Sequence, residues 1–212
     1  MRNKVLLLVV FALAMGYLEA AVVVYLRAIF YPEGFGFPIR NMDLHLAAVE
    51  LGREGATIVM LLAAAFIAEA TRRGRLACFM LLFGVWDLAY YVFLRVTLSW
   101  PESLLTWDLL FLLPVIWTGP VLAPMLISVL LISAGLLYYA RKGAAEVARI
   151  SGAEWAVAVA GGTAVFVSFA LNHGRIYGGE VPAHFPWGVF IAGLAVSSAI
   201  LIRVARRITS LV

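Results

Sequence analysis

Six apolar runs, each long enough to cross the ~30 Å hydrocarbon core of a bilayer, govern what this chain can fold into. They fall near residues 5–27, 46–70, 76–98, 119–140, 153–171 and 187–205. Of the 212 residues, 64% are hydrophobic and only 13% are charged, and the mean hydropathy is +1.00. A soluble domain of this length has no interior large enough to hide so much apolar surface. The fold class is therefore all-α: a polytopic membrane protein with six transmembrane helices and the lipid bilayer as its first partner.

The basic residues give the expected orientation. Arg2, Lys4, Arg72, Arg73, Arg75, Arg141, Lys142, Arg149, Arg203, Arg206 and Arg207 all fall at one set of span ends, 11 of the 16 basic side chains. By the positive-inside rule, both termini are cytoplasmic and the chain is integral to a plasma membrane of the bacterial inner-membrane type. The net charge of +4 does not argue for nucleic acid, because the bases cluster at the ends of apolar runs. The opening MRNKVLLLVVFALA has the form of a secretory signal with an A-x-A site at Ala12–Ala14, but its apolar run continues to Leu26, too long for one. The single cysteine, Cys78, excludes an internal disulfide and any multi-cysteine metal or Fe–S site.

Two of the runs carry the same motif. GYLEAAVVVYLR, from Gly16 to Arg27, aligns with GVWDLAYYVFLR, from Gly84 to Arg95. Glycine, alanine, valine, leucine and arginine match at the same offsets, Glu19 aligns with Asp87, and Tyr25 with Phe93. After one extra residue in the second copy, YPEG (Tyr31–Gly34) aligns with WPES (Trp100–Ser103). Aliphatic matches between membrane helices come cheaply, but an acid, an arginine and an aromatic-Pro-Glu turn in register do not. The reading is an internal duplication of a helical hairpin, two parallel repeats related by an axis near the membrane normal. The chain is then one integral membrane domain, 1–212, made of three hairpins: residues 1–72, 73–143 and 144–212. The third lacks an acid at the equivalent depth and carries no claim of homology.

The second hairpin departs from the first after its turn. SLLTWDLLFLLPVIWTGPVLAP places Pro114, Pro120 and Pro124 with Trp107 and Trp117 between residues 103 and 124. The sequence predicts a short interfacial helix over 103–113, with Trp100 and Trp107 at the headgroup level, before span four begins at 119.

Polar residues inside the spans are the candidate site. Glu19 and Asp87 lie near mid-membrane. HLAAVELGREGATIVML adds Glu50, Arg53 and Glu54, spaced to share one face of span two. Four acids then face one base, an excess that a low-dielectric interior does not tolerate unless some carboxylates retain protons or a cation resides among them. Arg27 and Arg95, each about 12 Å outward of its acid, are expected to anchor helix ends near Glu33 and Glu102. Trp86, Tyr90 and Tyr91 surround Asp87 and could cage a cation or a flat apolar ligand. His45, His173 and His184 all fall toward the outer side, with Asp43 and Glu180 nearby. They are candidate metal or haem ligands of undiagnostic spacing, and the cofactor stays unknown. Glu69, Glu146 and Glu154 are expected to be solvated at cytoplasmic ends.

Three functions fit this pattern. The first is binding or translocation of protons or a cationic or metal solute through an outward-facing site formed by Glu19, Glu50, Arg53, Glu54, Asp87, Trp86, Tyr90 and Tyr91. The second is an accessory or scaffold subunit, with a homodimer or other membrane-complex partners. The third is an intramembrane enzyme using carboxylic acids as general acid and base on a lipid-soluble substrate. No phosphate loop, G-x-S-x-G or intramembrane Ser/His pair supports nucleotide-driven or hydrolytic chemistry.

Overall fold

The computed structural model describes residues 2–40 and 42–210. In chain order its elements are α1 (Arg2–Phe30), α2 (Leu44–Ala68), α3 (Arg72–Leu98), β1 (Trp107–Phe111), β2 (Trp117–Pro120), α4 (Leu122–Ala140), α5 (Lys142–Val147), α6 (Gly152–Ala170), α7 (His173–Tyr177) and α8 (Trp187–Thr209). Six helices are long and apolar enough to cross a membrane: α1, α2, α3, α4, α6 with its continuation through α7, and α8. Large apolar side chains cover the outside of the bundle, with Leu7 69% and Ile67 88% exposed. In water that surface would drive association, whereas hydrocarbon solvates it.

Local chemistry sets the helix ends. Asp43 caps α2 by accepting from Leu46 N at 3.0 Å, and Thr71 caps α3 by accepting from Gly74 N. Ser151 and Glu154 form a reciprocal capping box at the start of α6. The starts and ends of the long helices meet at one basic end. Lys4 at the start of α1 donates to Ala68 O at the end of α2. Arg73 at the start of α3 donates to Ala145 O in α5, and Arg207 near the end of α8 donates to Arg149 O just before α6. Neighbouring spans therefore run antiparallel.

The centre of the molecule is α3, which packs along α1, α2 and α4, while α6 and α8 pack mainly on each other. Half of the apolar window of α3 is buried against 11% for α8. Small residues allow the close crossings. A Cβ on Gly16 would meet Trp86 O and Ala89 Cβ of α3 at 2.7 Å, and one on Gly84 would meet Ser128 O of α4 at 2.7 Å. Cys78, Leu81, Leu82 and Trp86 of α3 fill the core with Ala12 of α1, Leu61 of α2 and Tyr138 of α4. A second aromatic core, Phe169, Phe185 and Phe190, lies between α6, α8 and the strands.

The interfacial helix expected over 103–113 is absent. In its place β1 and β2 form an antiparallel ribbon, pairing Trp107 with Pro120, Asp108 with Gly119 and Leu109 with Thr118, then shifting register so that Phe111 meets Trp117. Span four consequently starts at Leu122 and not at 119. The prolines at 114, 120 and 124 withhold helix donors, and the Trp, Phe, Thr and Val residues around them favour extended backbone. The ribbon dips into the bundle from the end opposite the basic one. Its Phe111 ring lies 6.1 Å from Trp86, halfway along α3, and its Trp117 ring lies 4.9 Å from Phe166 of α6. Irregular backbone survives at membrane depth only where protein satisfies its polar groups. Here Glu54 of α2 accepts from Leu112 N at 2.9 and 3.1 Å, and His173 Nδ1 accepts from Ile116 N at 3.1 Å.

Candidate intramembrane carboxylate site

The polar side chains sort into four groups. In the first, Arg53 bridges α1 and α2. Its guanidinium holds Glu50 through Nη2 and Nε at 2.5 and 3.0 Å and donates through Nη1 to Glu19, whose second oxygen accepts from Thr57 Oγ1 at 3.2 Å. One base thus serves two acids on two helices. Glu54 stands apart from this group although it is one residue from Arg53. A single residue turns the side chain by about 100°, which points Glu54 at the ribbon. The expectation that Glu50, Arg53 and Glu54 act as one face holds for the first two, and Glu54 instead satisfies the ribbon backbone.

The second group is Asp87. It is 8% exposed, accepts from Ser128 Oγ of α4 at 2.7 Å, and has no basic partner among the described residues. Glu19 and Asp87 therefore sit in similar settings, each a carboxylate met by a hydroxyl from the next long helix, Thr57 and Ser128. The difference is Arg53, which only Glu19 has.

The third group escaped the sequence reading. Arg27 does not reach Glu33: it is buried, pairs with Asp108 of β1 at 3.2 Å, and lies with its guanidinium 3.7 Å from the Trp100 ring centroid and 4.4 Å from that of Phe35. Tyr91 Oη donates to the other Asp108 oxygen at 3.2 Å. Arg95, the matching arginine, instead caps its own helix end through Ser99 O and Pro101 O. Asp108 was legible as the one charged residue between 103 and 124. No role was assigned to it from the sequence, and the ribbon buries it to 1% exposure. With Asp108 and Arg27 included, these three groups hold five acids, Glu19, Glu50, Glu54, Asp87 and Asp108, and two bases, Arg27 and Arg53.

The fourth group lies at the basic end, where the solvated carboxylates of the sequence reading are in fact paired. Glu69 accepts from Lys4 and Lys142, each at 2.7 Å. Burial acts to raise its pKa, but the Lys142 and Lys4 hydrogen bonds outweigh it and hold the group below the usual carboxylate value of 4.5. Glu146 accepts from Thr71 and Tyr138, which likewise hold it low. Glu154 is gripped by Arg207 and Arg203 at 2.8 and 3.2 Å.

Two cavities open around the first three groups. An inner one of about 270 Å³ is lined by Glu19, Arg53, Asp87 and Ser128 with a wall of aromatics that includes Trp86, Tyr90, Tyr91 and Trp117. A second of about 540 Å³ lies toward the far end and is lined by Glu50, Glu54, Arg27 and Asp108. Tyr90 and Val23 line both and form the partition between them. The indole N–H groups of Trp86 and Trp117 are buried without a hydrogen-bond partner among the described residues. Buried donors rarely go unmet, and these two belong to side chains that line the inner cavity. Trp117, Thr57 and Ser128 join the site only through tertiary contact, since a lone Trp, Thr or Ser in an apolar run carries no signal of its own.

The histidines do not converge. His45 and His184 are exposed, His173 is committed to the ribbon, Asp43 caps α2, and Glu180 pairs with Arg175 at 2.9 Å. Among the described residues no three His, Cys, Asp or Glu side chains meet as a metal-ligand set. His45, His173 and His184, the candidate metal ligands, each sit on a different element with a different neighbour.

Compared with protein-family models, characterised proteins and solved structures, this chain finds no match.

Proposed function

We propose that this protein takes a proton or a small organic cation into the inner cavity from the outer face of the membrane, with Asp87 as the binding carboxylate. The observation that carries the reading is a buried aspartate with one hydroxyl partner and no base, facing a cavity walled by π systems. An unpaired carboxylate in a low-dielectric interior is costly unless a proton or cation accompanies it, and aromatic faces stabilise a cation there. The Glu19–Arg53–Glu50 bridge serves as the relay or gate between the cavities, because breaking the Arg53–Glu19 contact frees a carboxylate at the partition. A bare metal ion fits less well than an organic ammonium: Asp87 offers one carboxylate and one hydroxyl, short of the six to eight oxygens that hard cations take.

The same reading includes a duplicated framework. Gly16 and Gly84, Glu19 and Asp87, and their hydroxyl partners Thr57 and Ser128 play matching parts in α1 and α3, which supports descent of residues 1–72 and 73–143 from one hairpin. It also includes cytoplasmic termini, on the strength of the basic end.

The test uses the full chain in proteoliposomes. Uptake of protons, and of tetraethylammonium as an organic probe, is measured against an imposed gradient, with Trp86 and Trp117 fluorescence reporting binding. Asp87→Asn and Glu19→Gln are each expected to abolish coupled uptake. Unchanged flux in both variants sinks the reading. A second reading, acid–base chemistry on a lipid-soluble substrate, is favoured by one feature: the inner cavity shares Ile127, Gly162 and Val165 with an apolar groove between the α3–α4 and α6–α8 pairs. In that case the same variants leave flux alone and alter the membrane lipid profile.

A further inference from the structure

We infer that the basic end of the bundle holds an anionic phospholipid, with its headgroup among four arginines and an acyl chain in the groove between the α3–α4 and α6–α8 pairs. The arginine headgroup site lies apart from the carboxylate cavity, which the groove touches only at Ile127, Gly162 and Val165, and it stands whether or not that cavity transports anything.

The headgroup half is a cavity of about 500 Å³ lined by Arg73, Arg149, Arg203 and Arg207, with Glu154 and Ser151. Four guanidiniums face one carboxylate. Glu154 engages Arg207 and Arg203, and Ser151 and Glu154 are already spent on capping each other. Arg149 makes no side-chain hydrogen bond among those found, and 71% of the Arg203 side chain is exposed, so donors remain free to meet a phosphate. Planar, forked guanidiniums match phosphate oxygens in pairs.

The tail half is continuous with it. A groove of about 380 Å³ shares Arg73, Ile150 and Glu154 with the headgroup cavity and is otherwise lined by apolar residues except Tyr138 and Ser197. It runs along α6 from Trp155 to Val165, ten residues or about 15 Å, the depth of one leaflet's hydrocarbon. Trp155, 44% exposed, stands at the rim where indoles favour the headgroup level. The groove exists because α8 meets α4 only sparingly while gripping α6 closely: a Cβ on Gly193 would come within 2.6 Å of Gly161 O. Positive charge at headgroup depth above a slot one leaflet deep selects an anionic phospholipid over a zwitterionic one. It also selects a lipid over free phosphate, which would leave the slot unfilled.

Native mass spectrometry of the detergent-purified full chain reads this directly, titrating phosphatidylglycerol, phosphatidylcholine and inorganic phosphate. Phosphatidylglycerol is expected to bind the wild-type protein with one favoured site and at least roughly tenfold above phosphatidylcholine. The double variant Arg149→Gln, Arg203→Gln, which spares the Arg207–Glu154 pair, is expected to lose roughly fivefold per guanidinium for the anionic lipid alone. Ala158→Trp, which fills the groove, is expected to weaken both lipids. Equal binding of the two lipids to the wild-type protein overturns the inference without recourse to any variant. So does displacement by millimolar inorganic phosphate, which assigns the arginines to a free anion. A dimer that Ala158→Trp dissociates also overturns it, by giving the groove to a second copy.

Discussion

The carboxylates at the two ends of this bundle sit in opposite electrostatic settings. At the basic end two acids are each met by two bases: Glu69 lies between Lys4 and Lys142, and Glu154 between Arg203 and Arg207. In the far half, Arg53 serves Glu19 and Glu50, Arg27 serves Asp108, and Asp87 and Glu54 have no basic partner among the described residues. Overcompensated acids tie helix ends together and need no visitor. An acid left uncompensated beside a cavity is poised to accept positive charge from elsewhere. The contrast is one of charge compensation, and the proposed uptake rests on the far half of it.

The strongest way to break that contrast is to remove the base that serves two acids. Arg53→Gln leaves Glu19 and Glu50 buried without a counter-charge, and thermal unfolding in detergent is expected to show a loss of about 3 kcal/mol. Restoring part of it with Glu19→Gln in the same chain confirms the cause, since the second change removes one of the two stranded charges. Gly16→Ala comes next, at about 2 kcal/mol, because its new Cβ overlaps Trp86 O and Ala89 Cβ across the α1–α3 crossing. A loss no larger than that of an exposed alanine substitution would mean α1 is free to move away from α3.

At the basic end the effects are smaller, because Lys4 and Lys142 are each more than a third exposed and water screens the pairs. Glu69→Gln is expected to cost about 1 kcal/mol. Its pH dependence has a definite sign. A carboxyl whose folded pKa lies below 4.5 contributes stability fully above that value and loses it as pH falls through the lower, folded one. Wild-type unfolding temperature should therefore drop on the acid side of 4.5 more steeply than that of Glu69→Gln. Parallel curves would show that the two lysines do not hold the charge. The smallest expected change in stability, under about 1 kcal/mol in either direction, belongs to Asp87→Asn, which removes a burden and breaks no ion pair. Its near silence in unfolding together with its complete loss of uptake is the sharpest form of the contrast. A large destabilisation instead would make Asp87 a structural acid like Glu69.

Much of the scaffold was readable in the residues. Six helices, their approximate ends, and the depth of Glu19, Arg53 and Asp87 follow from apolar run length and the 1.5 Å rise of a helix, because a bilayer leaves the backbone few other choices. The ribbon at 107–120 was not readable. Three prolines signal that a helix fails there, but whether the chain then lies on the interface or enters the bundle depends on donors and acceptors far away, Glu54 and His173. Once the ribbon enters, it carries Asp108 to Arg27 and Trp117 to the cavity that Asp87 lines, and it divides the acids into separate groups.

The sequence by itself determined that the chain crosses a membrane, that it carries more intramembrane acid than base, and that matched acids sit on α1 and α3. Those properties are set by composition and by local helical geometry. Only the tertiary structure decided which acid is paired and which stands alone. Compensation in a low-dielectric interior depends on distances of a few ångströms between residues dozens of positions apart, and no run of neighbouring residues encodes those distances.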